Sequence, residues 1–166
     1  MLRVPRLRHL AMFGLLAAAC GVPDQAGRQE AQVTRVYDGD TIEVDFEGQR
    51  ERVRYIGIDT PEFDDDRPAI RELARLASDA NRALVNGRTV RLEFDREHRD
   101  RYGRLLAYVL VGDTLVNEWL VRGGFAESRD YPPNLRHQRR LDAAEREARG
   151  AGLLLWDGRL AGRRLR

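Results

Sequence analysis

Three short runs of alternating apolar and polar side chains follow one another between residues 32 and 58, and they narrow the fold class of the chain. The runs cover residues 32–37, 41–46 and 50–58. Val33, Val36, Ile42, Val44, Phe46, Val53 and Tyr55 are the inward-facing candidates. A period near two is the strand period, and Asp38-Gly39 and Glu47-Gly48-Gln49 between the runs are turn residues. Strands joined by links this short pair antiparallel with their chain neighbours. In the third run Val53, Tyr55 and Gly57 share one face, and Arg52, Arg54, Ile56 and Ile58 share the other. Arg54 lies five residues before Asp59, which favours a group aimed at a site over a solvated strand residue.

The rest of the chain adds two strands and about three helices. After an acidic loop at Asp64-Asp65-Asp66, Pro68 suits a first helical turn, and Ile70, Leu73, Ala77, Ala80 and Leu84 recur at helical spacing up to Asn86-Gly87. The acidic run is either a second cation site or a solvated loop that favours the helix N-terminus; the loop is the expected reading. Residues 88–95 and 105–111 alternate as strands. Leu115, Val116, Trp119 and Leu120 predict a short amphipathic helix. Asn134 is the expected N-cap of a last helix through Arg149, with Leu135, Leu141, Ala144 and Ala148 facing in. Residues 153–156 form an apolar tail. Five short strands with a helix between the third and fourth predict a five-stranded Greek-key barrel of the OB type, with about three helices packed against it.

Residues 1–20 have the layout of an export signal: Arg3, Arg6 and Arg8, an apolar run, then Ala17-Ala18-Ala19-Cys20. The run is too short to span a bilayer as a mature helix. Cleavage after Ala19 as a secretory peptide is one reading. Lipidation of Cys20, the only cysteine, is the other, and its position at the end of the leader favours it. Both predict an extracytoplasmic protein, membrane-bound only through a lipid at Cys20. Residues 21–31 read as a linker, 32–157 as the folded domain and 158–166 as a tail. The sequence pI of about 9.0 invites a nucleic-acid partner. However, three of the 29 basic residues, all Arg, lie in the leader; 29 less 3 leaves 26 against 27 acids, a formal charge of −1. Phosphate binding must then come from placed arginines rather than from a global field.

Asp40 and Asp59 stand at the ends of strand-like segments, with Arg54 and Glu62 close in the chain and Arg104 in a later block. Two carboxylates can hold a hard cation, a third can move a proton, and guanidiniums can grip phosphate. These are the parts of metal-assisted phosphodiester cleavage. Each residue alone has a plainer reading: Asp40 as a turn residue, Asp59-Thr60-Pro61-Glu62 as a helix-start or loop signature, Arg104 as a solvated charge.

Three blocks in order, Tyr37-Asp38-Gly39-Asp40-Thr41, Arg54-Tyr55-Ile56-Gly57-Ile58-Asp59-Thr60-Pro61-Glu62 and Asp100-Arg101-Tyr102-Gly103-Arg104, resemble the signature of the staphylococcal nuclease (thermonuclease) family. The resemblance covers roughly residues 32–157. It implies a Ca²⁺-dependent OB-fold nuclease that cuts DNA and RNA, single strands favoured, to leave 3′-phosphates. It further implies Asp40 and Asp59 as carboxylate ligands of Ca²⁺, the Thr60 carbonyl as another ligand, Glu62 as general base, and Arg54 and Arg104 on the reacting phosphate. Arg101, Tyr102 and Tyr131 resemble residues near the nucleotide. Arg129 replaces a family tyrosine, which weakens a stacking platform and favours phosphate contact. His98 and His137 read as surface residues. Nothing demands an obligate protein partner or more than a monomer. Two other classes compete: a catalytically silent OB module that binds nucleic acid or protein, and an envelope structural lipoprotein. Retention of Asp40, Arg54, Asp59, Glu62 and Arg104 argues against the silent module.

Overall fold

A computed structural model of the chain describes residues 28–157, so the leader, including Cys20, and the tail at 158–166 lie outside the described residues. In chain order the elements are β1 (Arg28–Val36), β2 (Thr41–Phe46), β3 (Gln49–Tyr55), β4 (Ile58–Asp59), α1 (Pro68–Val85), β5 (Thr89–Glu93), β6 (Leu105–Val111), β7 (Thr114–Leu115), α2 (Val116–Arg122), β8 (Glu127–Ser128) and α3 (Gln138–Gly150), followed by a 3₁₀ turn at Leu154–Trp156.

The sheet runs β3-β2-β1-β5-β6-β7, and a parallel pairing of β3 with β6 closes β1, β2, β3, β5 and β6 into a barrel. This is the expected five-stranded barrel with three helices. Strand β1 serves two neighbours. Its first half, Arg28 to Gln32, pairs with β5, and its second half pairs with β2. The register slips between Val33 and Arg35, which bends the strand so that one ribbon turns the barrel corner. Residues 28–31, expected in the linker, are therefore strand, because β5 supplies a partner that local composition does not reveal.

Strand β3 corrects the expected run of 50–58. It stops at Tyr55, and Gly57 adopts φ 79°. A side chain at Gly57 would meet Leu141 Cδ1 of α3 at 2.5 Å, so backbone geometry and helix packing both require glycine there. The kink breaks the alternation, so Ile56 and Ile58 are both fully buried instead of sharing a face with Arg54. It also releases Ile58-Asp59 to pair with Glu127-Ser128 as a separate two-stranded ladder.

Helix α1 begins at Pro68 and buries Ile70, Leu73 and Ala77 as expected. Ile70 and Leu73 meet Leu155, which accounts for the apolar tail. Three helical expectations fail. Trp119 of α2 stays 41% exposed and stacks on Phe125 with ring centroids 5.7 Å apart. Helix α3 starts at Gln138, not after Asn134, and Leu135 is exposed. Asn134 is fully buried, donating to the Glu97 carbonyl and accepting from the Glu97 N–H, both at 2.8 Å. A side-chain clamp across 37 residues competed with local capping and prevailed.

Asn117, on α2, plays a comparable part. It is fully buried, accepts from Val109 N–H at 3.0 Å and donates to the Ile56 carbonyl at 2.8 Å. It thus fastens β6 to the kink that aims Asp59. Asn117→Ala should cost about 2–4 kcal/mol, because two buried backbone groups lose their partners. Urea unfolding checks this, and a loss below roughly 1 kcal/mol would mean that water replaces the amide.

Candidate active site

The turn between β1 and β2 is built tightly. Asp38 Oδ1 accepts the Asp40 N–H at 3.0 Å, and Asn81 of α1 donates to the Asp38 carbonyl at 3.0 Å. Tyr55 in turn donates its hydroxyl to Asn81 at 2.9 Å. A side chain at Gly39 would lie 2.7 Å from Thr60 and 2.8 Å from Ala77, so α1 and the segment after β4 press directly on the turn. Asp40 is consequently buried and pointed at the end of β4.

Its carboxylate accepts three hydrogen bonds and faces one guanidinium. Thr60 gives both its N–H, at 3.0 Å, and its hydroxyl, at 2.9 Å, to one oxygen. Thr41 donates to the other at 3.1 Å, and Arg54 Nε stands 3.2 Å from it. Thr60, whose carbonyl is the expected metal donor, also orients Asp40 through its N–H and hydroxyl.

Arg54 is the hub. Its Nη2 reaches Asp59 at 2.9 Å, and its Nη1 donates to the carbonyls of Tyr55 and Ile58 at 2.8 and 2.9 Å. A guanidinium has five N–H donors, so these bonds leave one free. One side chain holds Asp40 and Asp59 at the same cation. Arg129, next to β8, approaches the other Asp59 oxygen at 3.6 Å. Its N–H, donated to the Gly57 carbonyl at 2.9 Å, explains how it enters the site; the sequence shows only that it replaces an aromatic ring.

The electrostatics are crowded. Burial, then the charge of Asp40, pushes Asp38 up to about 6. Burial likewise raises Asp59 above the ordinary aspartate value, and Arg54 partly offsets it. Glu62 is exposed, and no described residue hydrogen-bonds to it. The protein packed against one side of it, then Asp40, Asp38 and Asp59, raise its proton affinity, an effect its exposure tempers. Four carboxylates therefore face two guanidiniums.

The described residues contain no group of three His, Cys, Asp or Glu side chains already arranged to hold a metal ion. The donor chemistry nonetheless suits a hard cation. Asp40 and Asp59 supply carboxylate oxygens on one centre, no nitrogen or sulfur donor intrudes, and the surplus negative charge is of the kind that a divalent cation balances. Water and substrate oxygens would have to complete six to eight positions.

Arg101, Tyr102, Arg104 and Tyr131 form a second group. They line one open cavity of about 440 Å³. Tyr102 is 69% exposed, with the Arg101 and Arg104 guanidiniums 4.7 and 5.6 Å from its ring centre. Asp100 fixes Arg104, accepting from its Nε at 2.7 Å and its N–H at 3.0 Å. No described bond joins Arg104 to Asp40, Asp59 or Glu62. The β3–β6 register connects the groups instead. It pairs Arg54 with Leu106, so Arg104 lies two positions away on the neighbouring strand line, roughly 8 Å from Arg54 between Cα atoms. Of the remaining expectations, Asp65 pairs with Arg67, as a loop ahead of α1 does, and His137 bonds to Glu93 at 3.0 Å away from the site.

The family described as "Staphylococcal nuclease homologue" matches residues 52–158, a span that contains Arg54, Asp59, Glu62 and Arg104 and begins after Asp40. The chain is 42% identical over 125 residues to a "Thermonuclease" of Staphylococcus intermedius, covering 75% of this chain and 74% of that protein. It is 39% identical over 131 residues to a "Thermonuclease" of Staphylococcus hyicus, covering 79% and 78%. It is also 42% identical over 126 residues to "Endonuclease YncB" of Bacillus subtilis (strain 168), covering 74% of this chain and 59% of that one.

Proposed function

The chain belongs to the staphylococcal nuclease family, and on that premise we propose that it is a Ca²⁺-dependent nuclease that hydrolyses DNA and RNA phosphodiesters, single strands favoured, with low sequence specificity. The observation that carries this reading is the pinning of Asp40 and Asp59 on Arg54 beside an unbonded Glu62. Asp40 and Asp59 would hold the cation, whose charge supports the phosphate oxygens.

Glu62 takes the proton of the attacking water, which adds to phosphorus as the bond to the 5′-oxygen breaks. The 5′-oxygen takes up a proton from solvent water, so that a 3′-phosphate and a 5′-hydroxyl result. Arg54, with its free N–H, and Arg104 meet the charge that grows on the phosphate, where preorganised donors count most. Residues 1–20, which read as an export signal, support an extracytoplasmic enzyme, anchored through Cys20 if that residue is lipidated, and nothing in the sequence demands more than a monomer. Retention of all five acidic and arginine positions tells against a silent binding module.

The test is release of acid-soluble nucleotides from denatured DNA by protein lacking the first 20 residues, with Ca²⁺, with Mg²⁺ and with a Ca²⁺-selective chelator. Release with Ca²⁺ that the chelator abolishes supports the reading. No release from folded protein under any condition sinks it.

A pH effect follows from the crowded carboxylates. Asp38, Asp59 and Glu62 bind protons more tightly in the fold than in the unfolded chain. Their protonated forms therefore favour folding at low pH, and each contribution is lost as pH rises through that group's raised value, which for Asp38 is about 6. The same rise frees negative charge for a cation. Ca²⁺ affinity, measured by calorimetry, should be about tenfold higher at pH 7.5 than at pH 5.5. An affinity flat across that range would place the cation elsewhere.

A further inference from the structure

The outer face of β1 to β3 carries a cationic cluster that the reaction above does not use. Arg35 and Arg52 each lie with the guanidinium carbon 4.7 Å from the centre of the Tyr37 ring. The sheet register explains the grouping. Arg35 is opposite Glu43, and Glu43 is opposite Arg52, so the three side chains form a row across three strands. Tyr37 follows Arg35 by two residues and donates its hydroxyl to Glu43 at 3.0 Å.

Both arginines are exposed, and among the described residues neither forms an ion pair. The neighbouring acids are occupied by other groups. Glu43 also accepts from Arg50 at 2.9 Å, and Glu51 is held by Arg99 at 2.6 and 3.0 Å. The two guanidiniums on Tyr37 thus keep donors for an external acceptor, while a ring limits their freedom.

Arg52 also joins this cluster to the residues already described. It lines a cavity of about 450 Å³ together with Tyr102 and Arg104. One step beyond the Val53–Leu105 pair, the β3–β6 register sets Arg52 opposite Arg104. Along β3 it is two residues, roughly 7 Å, from Arg54. Tyr102 and Arg104 line the cavity that holds Tyr131 as well, so cationic and aromatic groups extend from Tyr131 to Arg35, with Glu43, Glu51, Glu97 and Asp100 among them.

We propose that Arg35, Tyr37 and Arg52 form a second polynucleotide subsite, which binds a phosphate and an adjacent base of single-stranded substrate beyond the bond that is cut. The proposal rests on the nuclease reading. Exposed guanidiniums grip phosphate oxygens in a bidentate manner, and a base stacks on a guanidinium or tyrosine face irrespective of its identity. A dinucleotide that fills the Arg54 and Arg104 positions is too short to reach Arg35, whereas an oligonucleotide extends over the row.

The experiment compares the parent protein with R35A/R52A on a dinucleotide and on a single-stranded oligomer of about 12 nucleotides, with Ca²⁺, over a range of salt. For the double variant, KM on the oligomer should rise about tenfold and its dependence on salt should be shallower by about one unit of logarithmic slope. Kinetics on the dinucleotide should not change. Equal changes on both substrates, or none on the oligomer, overturn the subsite while the nuclease reading stands. If the parent cuts neither substrate, the nuclease reading falls and the subsite falls with it. Unfolding midpoints establish that each variant is folded, and R35Q alone carries the same test if the double variant is not.

Discussion

Glu62→Gln is expected to lower turnover about 10²–10⁴-fold, the usual worth of a positioned proton acceptor, with little change in the unfolding midpoint. Two observations separate activity from stability here. Glu62 is exposed and accepts no hydrogen bond from a described residue, so the fold does not depend on it. Asp40, by contrast, is buried and accepts from Thr41 and Thr60, and Asp59 is tied to Arg54, so both carboxylates are engaged in the fold while Glu62 is not. The raised proton affinity of Glu62 suits a base working near neutrality. Glutamine keeps the size and hydrogen-bonding reach of the side chain but cannot take the proton. Turnover and thermal midpoint should be measured on the same preparation. Near-parental turnover would move the base to another group, with Asp38, at about 6, the next to examine.

Arg54→Ala should abolish measurable activity and also destabilise the protein by about 2–4 kcal/mol at pH 7, because it leaves Asp40 and Asp59 without their shared cation. The cost falls at the lower end to the extent that Asp59 is partly exposed and Arg129 stands 3.6 Å away. The sign of its pH dependence is distinctive. Without Arg54, Asp38, Asp59 and Glu62 hold protons more tightly still, so the variant regains stability as pH falls and protons replace the missing positive charge. The stability gap between parent and variant should therefore narrow from pH 7 to pH 5 in urea titrations. A gap that is constant with pH would mean that Arg54 contributes packing and carbonyl hydrogen bonds rather than charge balance.

The strands and α1 were legible because their period is set by local burial: Val33, Ile42, Val44, Val53 and Tyr55 alternate, and Ile70, Leu73 and Ala77 share a helix face. What the sequence hid depends on distant partners. Ile56 and Ile58 look like one strand face until α3 presses on Gly57. Asn134 looks like a cap until Glu97, far away in the chain, claims its amide. The same division runs through the site. Asp40, Arg54, Asp59 and Glu62 are visible because they fall within one stretch of chain, and the structure joins the first three by direct bonds. Arg129 is visible only as an unusual residue, since its approach to Asp59 is created by the β4–β8 ladder. The arginines on Tyr37 come together across strands, which no linear spacing discloses.

That ladder also has a consequence in time. Asp59 belongs to a strand whose partner is Glu127-Ser128, and Ser128 is in turn bonded to Asp142 and Glu145 of α3. A ribosome delivers the chain from its N-terminus. When synthesis has reached Arg122, every acidic and arginine group assigned to the chemistry has already been incorporated, yet the scaffold that sets the bearing of Asp59 has not been made. Alignment of the reactive groups is thus deferred until residues 127–150 have been made, and a polypeptide released earlier carries those groups without the means to align them.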